Sequence, residues 1–123
     1  MVSYFFDTYA LVEITKNNPR YIRFMEEGIT TTKFNLAELL YIVLADLGED
    51  AAKQAFEKFK DSEVPVPDNV LFKAMKFRLI IKKENSKSNI SFVYCIGYQC
   101  AKYNKVPFVT GDKEFEGVVD VEF

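Results

Sequence analysis

Val2-Ser3-Tyr4-Phe5-Phe6-Asp7 is a short apolar run that stops at an acid. A run of this length, rich in aromatics and followed by a polar residue, reads as a strand buried on both faces. Residues 8–16 then carry a helical pattern that Asn17-Asn18-Pro19 breaks, and a second short helix spans 19–27, ended by Gly28. Ile29-Thr30-Thr31 is β-branched and predicts another short strand. A long helix follows from Lys33 to Leu47, with Thr31 or Thr32 as its cap and Gly48 as its stop. Helices are also expected over 49–60, 68–84 and 90–104, with short strands at 63–66, 106–109 and 118–122. Apolar strands separated by helices imply an α/β fold, a mostly parallel sheet covered on both sides. Such sheets bind ligands outside the carboxyl ends of their strands, where the strand order reverses.

The 123 residues suit a single domain, 1–123, with no repeat, linker or low-complexity tract. Nearly half of the residues are apolar, enough to build a core without disulfides or metal. The formal charge of −2 argues against a protein that is simply a basic clamp for nucleic acid. Histidine is absent, which removes Ser-His-Asp and Cys-His catalysis and the usual imidazole zinc sites. Cys95 and Cys100 fall on different faces of one predicted helix, so they read as small buried apolar residues in a reducing compartment. The N-terminal stretch is interrupted by Asp7 and Glu13 and lacks a basic leader, and no run is long enough to cross a membrane.

Three acids stand out against this background. Asp7 ends the first strand; it either caps the next helix or faces a ligand. Glu38 is the only charge in Leu36-Ala37-Glu38-Leu39-Leu40-Tyr41-Ile42-Val43-Leu44-Ala45. A helix so apolar is expected to be buried, and a carboxylate inside it needs an ion-pair partner, a metal or a wet cleft. Asn35 lies one turn before it on the same face. Asp112 follows Val109-Thr110-Gly111 at the end of a later strand, again as a helix cap or as part of a site. Carboxylates gathered without a cation repel one another. Mg²⁺ or Mn²⁺ relieves that repulsion, accepts oxygen ligands and stabilises charge on a phosphoryl group.

These segments resemble the PIN-domain family, especially VapC-type toxins. Phe5-Phe6-Asp7-Thr8 is similar to the family's first motif, Asn35-Leu36-Ala37-Glu38 to its second, and Val109-Thr110-Gly111-Asp112-Lys113-Glu114-Phe115 to its last. The third motif carries a Ser, two residues and an Asp; here Ser91-Phe92-Val93 is followed by Tyr94, a neutral phenol at pH 7. The resemblance implies a roughly five-stranded parallel sheet and a cytoplasmic, metal-dependent ribonuclease. Asp7, Glu38 and Asp112 would hold Mg²⁺ or Mn²⁺, supported by Thr8, Asn35, Ser91, Tyr94 and Thr110. It also implies RNA as substrate, a small antitoxin as partner and a homodimer. Tyr94 leaves a second expectation open, a degenerate PIN domain that binds RNA or a partner protein without cutting.

Overall fold

A computed structural model describes residues 3–111 together with the backbone of Val121 and Glu122. The strands are β1 (Tyr4–Phe6), β2 (Ile29–Thr30), β3 (Phe108–Val109) and β4 (Val121–Glu122). The helices are α1 (Thr8–Thr15), α2 (Pro19–Ile22), α3 (Lys33–Leu47), α4 (Glu49–Phe59), α5 (Asp68–Glu84) and α6 (Phe92–Asn104). The sheet is parallel throughout, in the order β2-β1-β3-β4. The chain steps from β1 to β2 on one side and later returns to β3 on the other. The strand order therefore reverses at the crevice between β1 and β3, where this architecture admits ligands.

Alternation along the strands builds two cores. Phe6 and Val109 face α1, α3 and α4 and pack with Leu11, Ile14, Leu36 and Leu39. Phe5 and Phe108 face α5 and α6 and pack with Val70, Ala74, Ile96 and Cys100. With both sides covered, the strands can be apolar at every position, as the sequence suggests. Both cysteines are buried and free. Burial pushes the Cys100 thiol above its usual pKa, partly opposed by the Asn104 side-chain amide, so it packs as a neutral group.

Most expected elements form, with informative differences. The strand expected at 63–66 is reduced to a single parallel bridge between Thr31 and Glu63. Thr31 N–H donates to the Ser62 carbonyl and Val64 N–H to the Thr31 carbonyl, on the side of β2 away from β1. Pro65 and Pro67 lack the N–H groups that would carry the ladder further. Four strands and this bridge thus stand where five strands were expected. Residues 23–27 tighten into a 3₁₀ turn at Met25–Glu27 instead of prolonging α2. α6 begins two residues later than expected because Ser91 caps it, its Oγ accepting from Tyr94 N–H. The expected strand at 106–109 forms only over Phe108–Val109, and of 118–122 only Val121–Glu122 falls within the described residues.

The expectation that α3 is buried all round fails. Leu36, Leu39 and Val43 face the core, whereas Phe34, Leu44 and Leu47 are exposed and Tyr41 is 76% exposed. α3 packs on α1, α4 and α6 but leaves the side bearing Tyr41, Leu44 and Leu47 open. Among the described residues no helix is long and apolar enough to cross a membrane.

Candidate functional site

The carboxyl ends of β1 and β3 meet α1, α3 and α6 at one end of the sheet. Asp7 follows β1 and is the N-cap of α1, with Oδ1 accepting from Ala10 N–H at 2.8 Å. Its side chain is only 1% exposed, and Oδ2 is buried as well. Asp7 N–H donates to the Val109 carbonyl at 3.3 Å, which sets the fully buried Thr110 beside it. The capping and ligand-facing alternatives for Asp7 are therefore compatible, since one oxygen serves the cap and the other does not.

Glu38 joins this end through Thr8. The Thr8 hydroxyl donates to Glu38 Oε1 at 2.6 Å, and Asn35 Nδ2 donates to Thr8 Oγ1 at 3.1 Å. Thr32 Oγ1 donates in turn to Asn35 Oδ1, while also accepting from Asn35 N–H as the cap of α3. The donors run in one direction, from Thr32 through Asn35 and Thr8 to a carboxylate that only accepts. Such a series ends on Glu38 Oε1 and fixes the rotamer of that side chain. Among the described residues Glu38 has no ion pair, so its demand for a partner is met by a hydroxyl and by solvent in a cleft.

That cleft has a volume of about 600 Å³. Thr8, Glu38, Ser91 and Tyr94 line it together with Tyr9 and Tyr41. Tyr94 of α6 thus lines the same cleft as Glu38 of α3. Asp112 lies outside the described residues. Its neighbour Gly111 is held closely: a Cβ there would overlap the Tyr9 ring and approach Tyr21 Oη to 2.7 Å. Tyr9 and Tyr21 pack with ring centroids 6.1 Å apart. Burial raises the Tyr21 pKa, with Tyr9, Asp7 and Glu13 adding to the rise and Arg20 opposing it. The phenol therefore stays protonated beside the Asp7 carboxylate.

Of the residues singled out in the sequence, Thr8, Asn35, Glu38, Ser91 and Tyr94 gather at this end with Asp7; Thr32, named there only as a possible cap, joins them, as do Tyr9 and Tyr41, which the sequence did not single out. Thr32 was detectable from the Thr32-x-x-Asn35-x-x-Glu38 spacing, which puts a cap, a bridge and an acid on consecutive turns. Thr32→Ala removes the cap and leaves the buried Asn35 oxygen short of a donor. It is expected to destabilise the fold by about 2–3 kcal/mol. A chemical denaturation midpoint lowered by that amount, with the slope unchanged, is the result to look for.

The PIN-domain profile matches residues 4–120. The chain belongs to the PIN-domain family. Solved structures carry the same fold at low sequence identity. VapBC2 from Rickettsia felis, bound to a DNA fragment from its promoter, aligns with a TM-score of 0.76 and 18% identity, covering 98% of this chain and 96% of that one. The sarcin-ricin-loop-cleaving toxin VapC20 from Mycobacterium tuberculosis aligns at 0.72 and 17%, covering 98% and 99%. A toxin-antitoxin complex from Klebsiella pneumoniae aligns at 0.70 and 14%, covering 97% and 95%. No curated protein sequence matches this PIN domain closely.

The described donors fit a hard divalent cation in kind. They are carboxylate and hydroxyl oxygens, without thiolate or imidazole in the cleft wall. No group of three acidic, histidine or cysteine side chains occurs among the described residues. A Mg²⁺ that keeps most of its waters needs only one or two carboxylates. Asp7 and Glu38 would hold it, with Thr8 orienting Glu38. When bound, the ion would supply charge stabilisation at a phosphoryl oxygen.

Proposed function

We propose that this single PIN domain is a cytoplasmic, Mg²⁺- or Mn²⁺-dependent endoribonuclease of the VapC toxin type. The observation that carries the proposal is the 2.6 Å bond between Thr8 and Glu38. It ties the residue after Asp7 to an acid thirty positions away, at the end of the sheet where ligands bind. Asp7, Glu38 and Asp112 are the proposed metal-holding acids. Asn35 and Thr8 orient Glu38, and Thr110 and Ser91 support the strand and helix ends around them. RNA is the proposed substrate, with a small antitoxin as partner and a homodimer as the assembly. The family, and the toxin-antitoxin complexes that share the fold, support the antitoxin.

Tyr94 supports a second reading, a PIN domain that binds without cutting. Its phenol brings no charge to the cleft wall, where an aspartate would add a carboxylate to that of Glu38. The two readings separate in one assay, cleavage of a single-stranded RNA with Mn²⁺ present. The proposal expects weak but measurable cleavage by the native chain. It also expects an increase of about tenfold or more in Tyr94→Asp, since changes around a metal shift activity by that order. Cleavage absent from both proteins, with RNA or antitoxin still bound, would establish the binding-only reading.

A further inference from the structure

The cleft is acidic and aromatic, and the described residues lining it include no lysine or arginine. A strand of RNA entering it must have its phosphates neutralised elsewhere. Six of the sixteen basic side chains lie between residues 73 and 87, with Glu84 the only acid in that span. This segregation occurs in a chain whose net charge is negative.

Helical spacing sorts α5 into two faces. Val70 and Ala74 are buried against the core. On the opposite side Lys73, Lys76 and Lys83 alternate with Phe72 (71% exposed), Leu79 (60%) and Ile80 (54%). Among the described residues, none of the three ion pairs uses a basic residue of α5. The flank of α5 beside this face reaches the turn that precedes α6. The Arg78 guanidinium lies 4.1 Å from the ring centre of the exposed Phe92, and Arg78 Nε donates to the Ile90 carbonyl at 3.3 Å. Lys82 Nζ donates to the carbonyls of Ser86 and Ser88 at 2.9 and 2.8 Å. These two cations fasten the turn that delivers Ser91 and Tyr94 into the cleft wall.

We propose that the lysine-bearing face of α5, continued across Arg78 and Phe92, is the track that holds a single-stranded RNA as it leaves the cleft. The inference rests on the ribonuclease reading for its ligand. Unpaired cations answer the phosphates, and the exposed Phe72 among them, with Phe92 beyond, gives unstacked bases a platform. A second copy of the chain fits this face poorly, because an isologous contact would set three lysines against three lysines. An anionic membrane fits poorly as well. Helices that lie on membranes separate their apolar and cationic arcs, and here the two share one arc.

The test is fluorescence anisotropy of a labelled, unstructured RNA, with chelator present so that no strand is cut. Native protein is expected to bind with an affinity that falls as salt rises. Lys73→Gln, Lys76→Gln and Lys83→Gln together should weaken binding about tenfold or more at low salt. They should also reduce the slope of log affinity against log salt by about 2, from three lost single-strand phosphate contacts. Phe72→Ala should weaken binding about fivefold or more. Lys53→Gln, Lys58→Gln and Lys60→Gln on and beside α4 change the net charge equally and should leave affinity nearly unchanged.

Absence of RNA binding by the native protein would overturn the inference. So would an unchanged affinity and slope in the α5 triple variant, or an equal loss in the α4 control. A triple variant that loses only self-association or binding to anionic vesicles would assign the face to those partners instead. Cleavage is scored separately with Mn²⁺. Native protein that cuts RNA while the α5 variant keeps the same KM preserves the nuclease and removes the track. Native protein that binds through α5 but never cuts does the reverse.

Discussion

Glu38→Gln is expected to lower Mn²⁺-stimulated RNA cleavage by about a hundredfold or more. Partners that merely orient metal ligands already account for about 10–100-fold in affinity or activity, so loss of a proposed ligand belongs at or above that range. The substitution is well controlled. Glutamine keeps the length and shape of Glu38, and its amide oxygen can still accept from the Thr8 hydroxyl. Asp7→Asn is its counterpart, because asparagine caps a helix about as well as aspartate and can preserve the bond from Ala10 N–H. Both changes delete charge while sparing local structure. Single-turnover cleavage and a thermal melt, measured together, separate chemistry from folding. Full activity in both variants would remove the acids from the mechanism.

Phe108→Ala is expected to cost about 3–5 kcal/mol of stability, the usual penalty for truncating a fully buried aromatic. Phe108 is a residue of β3, and its ring stacks on Phe5 at 5.7 Å and meets Tyr98 edge-on at 5.6 Å. Its loss opens a cavity beneath α6 and removes two ring pairs at once. A melting temperature lower by about 10–20 °C is the expected reading for a domain of this size. A shift of only a few degrees would mean that α6 settles into the gap, and that the second core is more adaptable than its burial suggests.

The parts of this fold that were legible in the sequence are those set by local chemistry. α3 runs from Lys33 to Leu47 between Thr32 and Gly48 because a hydroxyl caps one end and glycine, at φ 91°, turns the other. β1 was readable because a strand covered on both faces is apolar at every position. The open side of α3 was not readable, since Tyr41 and Leu44 look the same in sequence whether a neighbour covers them or not. The bridge at Glu63 was overread as a strand, although Pro65 and Pro67 carried the warning. Of the candidate site, Glu38 and Asn35 stand out by charge and helical spacing, and Thr8 only by the family resemblance. The joining of Thr8 to Glu38 depends on how α1 crosses α3, which periodicity within one helix does not encode.

The position of β1 in the middle of the sheet sets the order in which a newly made chain can complete itself. Phe5 is made before its register partner Phe108, which follows about a hundred positions later, a separation that also slows folding. Until β3 arrives, the strand bearing Asp7 has only β2 beside it, and the crevice between β1 and β3 does not exist. A fragment released early in translation therefore lacks the second wall of that crevice. Assembly of the pocket is postponed until Phe108 and Val109 have been made and have paired with β1.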